Sequence, residues 1–263
     1  MIKLIVSDVD GTLVPPAGRS PSPELTAAFA DRLASGAVIA LASGRPLSGL
    51  AGLFPELEDR LIYICCNGTT IVHNRKVISV SPLAQGEDLC QLIRVFREIR
   101  CDFMVNTLDR SVAEETISDE AYRMILGSGI HLEIVHDILD LASPVLQITT
   151  VCTGDLAEFL EHPRIRALAD TYTVVRTGTY FFDVTGKNVD KGTAIGVLQE
   201  RFGIRPEETI VFGDSMNDVP MFSCSPHSYA VETAPEAVRS QATHTVAGPE
   251  QNGVATLLSS ALL

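Results

Sequence analysis

Short apolar runs, each closed by glycine or small polar residues, fill the first third of the chain and return in its last third. The runs beginning at Ile5-Val6, Val38–Ala42, Leu61–Cys66 and Thr209–Phe212 lack the alternation of a half-exposed strand. They read as strands covered on both faces, as in a parallel sheet. Ser22-Pro23-Glu24 places a capping serine and a first-turn proline at the start of a helix that reaches about Ser35 and stops at Gly36. Pro15 to Pro23 is a loop, and Pro46 is positioned to begin a second helix. Thr69–Val72 and Val77–Val80 flank His73-Asn74-Arg75-Lys76 and predict a hairpin. Near the C-terminal end, Lys191–Phe202 gathers Ala194, Ile195, Leu198 and Phe202 on one helical face, with Asp190 as N-cap. Tyr229–Val231 and Thr243–Val246 are further strands, Pro235–Gln241 a helix between them, and Gly253–Leu263 a closing helix.

The texture changes from about Pro82. Leu89, Leu92, Ile93, Phe96 and Ile99 recur at helical spacing up to Arg100. Phe103–Val105, Val145–Val151, Tyr172–Val175 and Thr179–Val184 read as strands, with helices at Asp119–Leu126 and Asp155–Glu161. The predicted fold is α/β: a doubly wound, Rossmann-like parallel-sheet core formed by residues 1–82 and 185–263, with an inserted α+β domain over 83–184. Phe181-Phe182 reads as core of that insert.

Composition narrows the function classes. The chain has 263 residues, 46% of them hydrophobic and 20% charged, which suits a globular protein with a sizeable core. A formal net charge of -13 disfavours binding to a nucleic-acid backbone, which relies on clustered lysine and arginine. No apolar run approaches the roughly 20 residues of a membrane span, and the acids Asp8 and Asp10 interrupt the first apolar run too early for a signal segment. Six cysteines without a CxxC pair suggest buried thiols in a reducing compartment. A cytoplasmic enzyme without a nucleic-acid or membrane partner is expected; nothing in the chain indicates its oligomeric state.

Candidate chemistry collects where the predicted strands end. Asp8 and Asp10 lie two apart on an extended segment and point the same way, and Gly11 lets the backbone turn directly after them. Such a pair suits a divalent cation, a nucleophile or acid/base work, or it simply caps a turn. Ser43-Gly44-Arg45 and Asn67-Gly68 follow the next two strands, and Gly213-Asp214-Ser215-Met216-Asn217-Asp218 follows the strand at Thr209. Ligands of open α/β sheets bind at these carboxyl ends.

Asp8-Val9-Asp10-Gly11-Thr12-Leu13, Ser43-Gly44-Arg45, Lys191-Gly192 and the Gly213–Asp218 run resemble, in order, the four motifs of the haloacid dehalogenase-like hydrolase superfamily. The placement of the insert, with Asn67-Gly68 and Asn252-Gly253-Val254-Ala255, is similar to its Cof-type phosphatase branch. The resemblance covers the core, while the insert matches in position and texture. It implies a phosphatase acting on a small phosphorylated metabolite, with a sugar phosphate as the default. Asp8 would be the nucleophile that forms an aspartyl-phosphate, Asp10 the acid and base, and Lys191 the fixed positive charge. Ser43, Gly44, Arg45, Lys191 and Asn217 would bind the phosphoryl group. Asp8, Asp10, Asp214 and Asp218 would serve Mg2+, with Asp10 contributing its carbonyl and Asp218 either a direct ligand or one step removed. A mutase or phosphotransferase using the same phosphoenzyme is the enzymatic rival. A receiver-like phospho-acceptor switch needs only about 120 residues in one compact domain, so the large insert counts against it.

Overall fold

The computed structural model describes residues 1–15, 20–178 and 180–260. Strands β1 (Leu4–Asp8), β2 (Val38–Ala42), β3 (Ile62–Cys65), β4 (Thr70–His73) and β5 (Lys76–Val80) come first. Strands β6 (Asp102–Asn106), β7 (Ser111–Glu114), β8 (Leu132–Val135), β9 (Gln147–Val151), β10 (Tyr172–Arg176) and β11 (Phe181–Gly186) follow. The chain ends with β12 (Thr209–Gly213), β13 (His227–Val231) and β14 (His244–Val246). They form two sheets, an eight-stranded one in the order β14-β13-β12-β1-β2-β3-β4-β5 and a six-stranded one in the order β10-β11-β9-β6-β7-β8.

Strand β1 pairs in parallel with β12 on one side and β2 on the other, so the winding reverses direction there. That reversal opens a crevice at the carboxyl end of β1, the usual ligand position in such sheets. The run Leu4-Ile5-Val6 is fully buried, as expected for a central parallel strand covered on both faces. Strands β4 and β5 add an antiparallel hairpin to the parallel set. Its turn residues, Asn74 and Arg75, both have positive φ, 48° and 60°, the geometry favoured by two-residue hairpin connections.

The helix Pro23–Ala34 starts as predicted, with Ser22 Oγ accepting from the Leu25 N–H at 3.1 Å. Asp190 caps Lys191–Phe202 in a capping box with Thr193. The predicted helix after Pro46 is only the 3-10 turn Leu47–Gly49, followed by further turns; the glycines at 49 and 52 and the proline at 55 give little to propagate a helix. The closing helix is Gly253–Ser259, and its predicted continuation through 261–263 lies outside the described residues. So do residues 16–19 of the predicted loop and Thr179 at the start of the predicted strand, which begins at Phe181.

The smaller sheet is antiparallel except where the helix Asp119–Gly127 crosses over and makes β7 and β8 parallel. Strands β7 and β8 and the helix Pro163–Thr171 carry no clear sequence pattern; each is short and mixes polar with apolar residues. Alternation along the strands divides their side chains between two faces. Phe103, Val105, Ile148, Phe182 and Val184 pack against helices Gly86–Glu98 and Pro163–Thr171. Met104, Ala113 and Val151 face the other way, toward the helix Asp119–Gly127.

The return to the larger sheet is tight. Residues 187–190 alone separate the end of β11 from Lys191. They form a turn in which the Val189 N–H donates to Gly186 O at 3.1 Å and Thr185 Oγ1 to Val189 O at 3.0 Å. Gly68, with φ of 101°, lies so close to this turn that a Cβ there would meet Asp190 O at 2.2 Å. The six cysteines are free thiols, and no helix among the described residues is long and apolar enough to cross a membrane.

Candidate active site

Strand β1 delivers Asp8 to the crevice, and Gly11 turns the chain back at once with φ of 88°. A side chain is excluded there, because a Cβ on Gly11 would come within 2.5 Å of Asp214 Oδ2. The loop after β12 brings Asp214, Asn217 and Asp218 in from the neighbouring strand end. The capped helix start projects Lys191 into the gap between them.

Lys191 is fully buried, and its Nζ donates to Asp8 Oδ1 and to Asp218 Oδ1, both at 2.6 Å. Asp218 Oδ2 accepts from the N–H groups of Asp214 and Ser215, each at 2.9 Å. Asp218 therefore ties the loop to the lysine with both oxygens. Asp214 accepts from Thr12 Oγ1 at 3.1 Å and Ser215 Oγ at 3.0 Å. Asp8 Oδ2 is buried and has no hydrogen-bond partner.

The electrostatics of this cluster are unbalanced. Burial, reinforced by Asp218, outweighs Lys191 and raises the Asp8 carboxyl well above its usual range. Burial and Asp218 likewise push Asp214 up to about 6. Burial alone would lower the Lys191 pKa, but the carboxylates of Asp218 and Asp8 hold the ammonium charged and raise it. Three carboxylates against one ammonium leave two negative charges when all are ionised. Ligand atoms of Asp8, Asp214 and Asp218 lie within 4.8 Å of one another. An orphaned acceptor, excess negative charge and all-oxygen donors together fit a hard divalent cation such as Mg2+.

Asp10 points elsewhere. Both its oxygens are held by the guanidinium of Arg45, with Nε to Oδ2 at 2.7 Å and Nη2 to Oδ1 completing the fork. The Arg45 N–H in turn donates to Ser43 Oγ at 3.1 Å. Ser43, Gly44 and Arg45 thus line the crevice beside Asp8 and Asp10. Asn217 Nδ2 donates to Asn67 Oδ1 at 2.9 Å. Asn67, in a left-handed conformation with φ of 55°, passes the contact on to Asp183 Oδ2 at 2.7 Å.

Asp183 is the charged site-facing residue of the insert, among the described residues, that sequence reasoning missed. It sits on β11, is 2% exposed, and accepts from Thr149 Oγ1 on β9 at 2.7 Å as well as from Asn67. Gln147, also on β9, donates to Gly44 O at 3.2 Å and to Thr149 Oγ1 at 2.8 Å. The signal was a lone acid in the otherwise apolar run Phe181-Phe182-Asp183-Val184. The two phenylalanines divide by strand alternation: Phe182 is insert core, as predicted, whereas Phe181 borders an open cavity of about 130 Å3 above Asp8.

Burial raises the Asp183 pKa from 3.8 to about 6. A folded state that keeps this proton longer than the unfolded chain loses stability as pH rises between those values. The total loss is about 3 kcal/mol at 1.36 kcal/mol per unit. Asp183→Asn is expected to flatten the fall in unfolding free energy from about pH 4 to pH 7 by roughly 2–3 kcal/mol. Urea titrations at both pH values check this, and any constant cost of the amide cancels in the difference.

A family model described as haloacid dehalogenase-like hydrolase matches residues 5–258. The 5-amino-6-(5-phospho-D-ribitylamino)uracil phosphatase YbjI of Escherichia coli is 23% identical over 262 residues, covering 99% of this chain and 96% of that protein. A crystal structure from Eubacterium rectale is 30% identical with a TM-score of 0.88 and covers 99% of both chains. The sugar phosphatase BT4131, of HAD subclass IIB, is 25% identical with a TM-score of 0.83 and covers 97% of both.

Proposed function

The chain belongs to the haloacid dehalogenase-like hydrolase family, and on that premise we propose that it is a Mg2+-dependent phosphatase of the Cof-type branch, acting on phosphate monoesters of small metabolites. The observation that carries this reading is the unpartnered Asp8 Oδ2 beside a buried, charged Lys191 and a second carboxylate, Asp214. Residues 1–82 and 185–263 form the catalytic core in this reading, and 83–184 the cap over it.

Asp8 attacks phosphorus and carries the phosphoryl group as an aspartyl-phosphate, which divides one difficult hydrolysis into two displacements. A cation held by Asp8, the Asp10 carbonyl and Asp214 would offset the repulsion between carboxylate and phosphate. Asp218 acts through Lys191, which it anchors. Lys191 offsets charge on the transferring group, while Ser43 Oγ and the Gly44 N–H hold a phosphoryl oxygen. Asn217, oriented by Asn67, borders the same space. Asp10 protonates the leaving oxygen and then takes the proton of the water that attacks the phosphoenzyme. In the fork with Arg45 both Asp10 oxygens accept, so one oxygen must leave the guanidinium and take a proton from solvent before that transfer.

A sugar phosphate is the default substrate, in keeping with the sugar phosphatase among the similar structures. The test is phosphate release from a panel of phosphorylated metabolites and p-nitrophenyl phosphate, with Mg2+ and with EDTA. Release that depends on Mg2+ and stops with EDTA is expected. Undiminished turnover in EDTA would overturn the cation's part. A transferred or isomerised phosphate in place of free phosphate would favour a mutase instead.

A further inference from the structure

The cavity above Asp8 has two unlike sides. The core supplies the phosphoryl machinery, and among the described residues its one lining cation, Arg45, is occupied by Asp10. The insert supplies the apolar side chains of Met104, Ile130 and Phe181, the hydroxyls of Thr149 and Thr177, and a single charged group, Asp183. No lysine, arginine or histidine reaches the cavity from the insert among the described residues.

Asp183 is fixed beside the loop Ser43-Gly44-Arg45. Thr149 donates to one of its oxygens and Asn67 to the other, so the carboxylate cannot swing away. Thr177 and Gln147 also lie close to the carboxylate, which can accept more than two donors. A Cβ placed on Gly44 would lie 3.2 Å from Asp183 Oδ2, which puts the carboxylate against the phosphate-binding loop. An anionic group on the substrate meets a like charge at this buried carboxylate, and among the described residues no insert cation stands ready to pair with it. A hydroxyl can donate to the carboxylate, while the carbon-bound hydrogens of a ring or chain lie on Phe181 and Met104.

We propose that Asp183 is a specificity-determining residue, admitting phosphate monoesters of neutral, hydroxylated leaving groups and rejecting those that carry a second anionic group. This rests on the phosphatase reading and deepens it.

The experiment measures inhibition constants against p-nitrophenyl phosphate hydrolysis, which does not require turnover of the competing compound. Two matched pairs serve as probes: glucose 6-phosphate with 6-phosphogluconate, and fructose 6-phosphate with fructose 1,6-bisphosphate. The member of each pair without the second anionic group is expected to bind at least about tenfold more tightly. In Asp183→Asn that ratio should shrink toward one. Because the ratio is taken within each variant, a general loss of fold or rate does not move it. Equal binding within both pairs, preference for the anionic member, or no competition by any of the four compounds overturns the proposal. So does an unchanged ratio in Asp183→Asn, even if the preference exists. Absence of p-nitrophenyl phosphate hydrolysis removes the phosphatase reading and this proposal with it; intact hydrolysis with a flat ratio removes only the latter.

Discussion

Asp8→Asn is expected to lower kcat by about ten-thousand-fold or more on every phosphate ester tested, because the amide cannot attack phosphorus and no other carboxylate is placed to replace it. The fold should survive. The asparagine oxygen can still accept from Lys191, and one of the mutually repelling buried acids disappears. Thermal unfolding without added cation should therefore be unchanged or slightly raised, while the stabilisation conferred by Mg2+ shrinks. Phosphate release and paired melting curves check both halves. Near wild-type turnover by Asp8→Asn would end the nucleophile assignment.

The second large effect is on the lysine. Lys191→Met is expected to abolish turnover and to cost about 3–5 kcal/mol of stability at neutral pH, the usual penalty for stranding buried charges. The ion pair holds Lys191 protonated in the folded state, so its contribution is fully present below the ordinary lysine pKa and is lost only as pH rises past the folded value. Removing the ammonium leaves Asp8 and Asp218 facing each other without a counter-charge. Their protonation should recover part of the loss at acid pH. Urea unfolding across pH measures this, and a variant as stable as wild type at neutral pH would contradict the role given to the buried pair.

Much of this arrangement is legible from residue order because it is local. Asp8 and Asp10 follow an apolar run and precede a glycine, Ser43 and Asp214 occupy equivalent positions after their own strands, and Lys191 follows a recognisable N-cap. The fully apolar strands announce a sheet covered on both sides. The rest depends on meetings between distant segments. Arg45 closing on Asp10 joins two strand ends 35 positions apart, and the Asn217–Asn67–Asp183 relay joins three. No periodicity records such contacts. Within the insert, β7 and β8 have four residues each, too few for alternation to stand out from loop. The turn after Pro46 shows the opposite failure: a good helix start followed by residues that do not sustain one.

The short return from β11 to Lys191 has a consequence for how such proteins diverge. From Asp183 to Lys191 the chain is one braced piece. Asp183 is bonded to Asn67, the turn at Gly186–Val189 is internally tied, and Asp190 is pressed against Gly68. Recombination that exchanged the insert between relatives meets two backbone ties at its entrance after β5, from the Ser81 N–H to Thr69 O at 2.7 Å and from the Leu83 N–H to Val145 O at 2.9 Å. At the exit, a cut beyond Asp183 would import a foreign brace next to the catalytic lysine. The workable seam lies upstream of Asp183, so this carboxylate, although it belongs to an insert strand, would be inherited with the core.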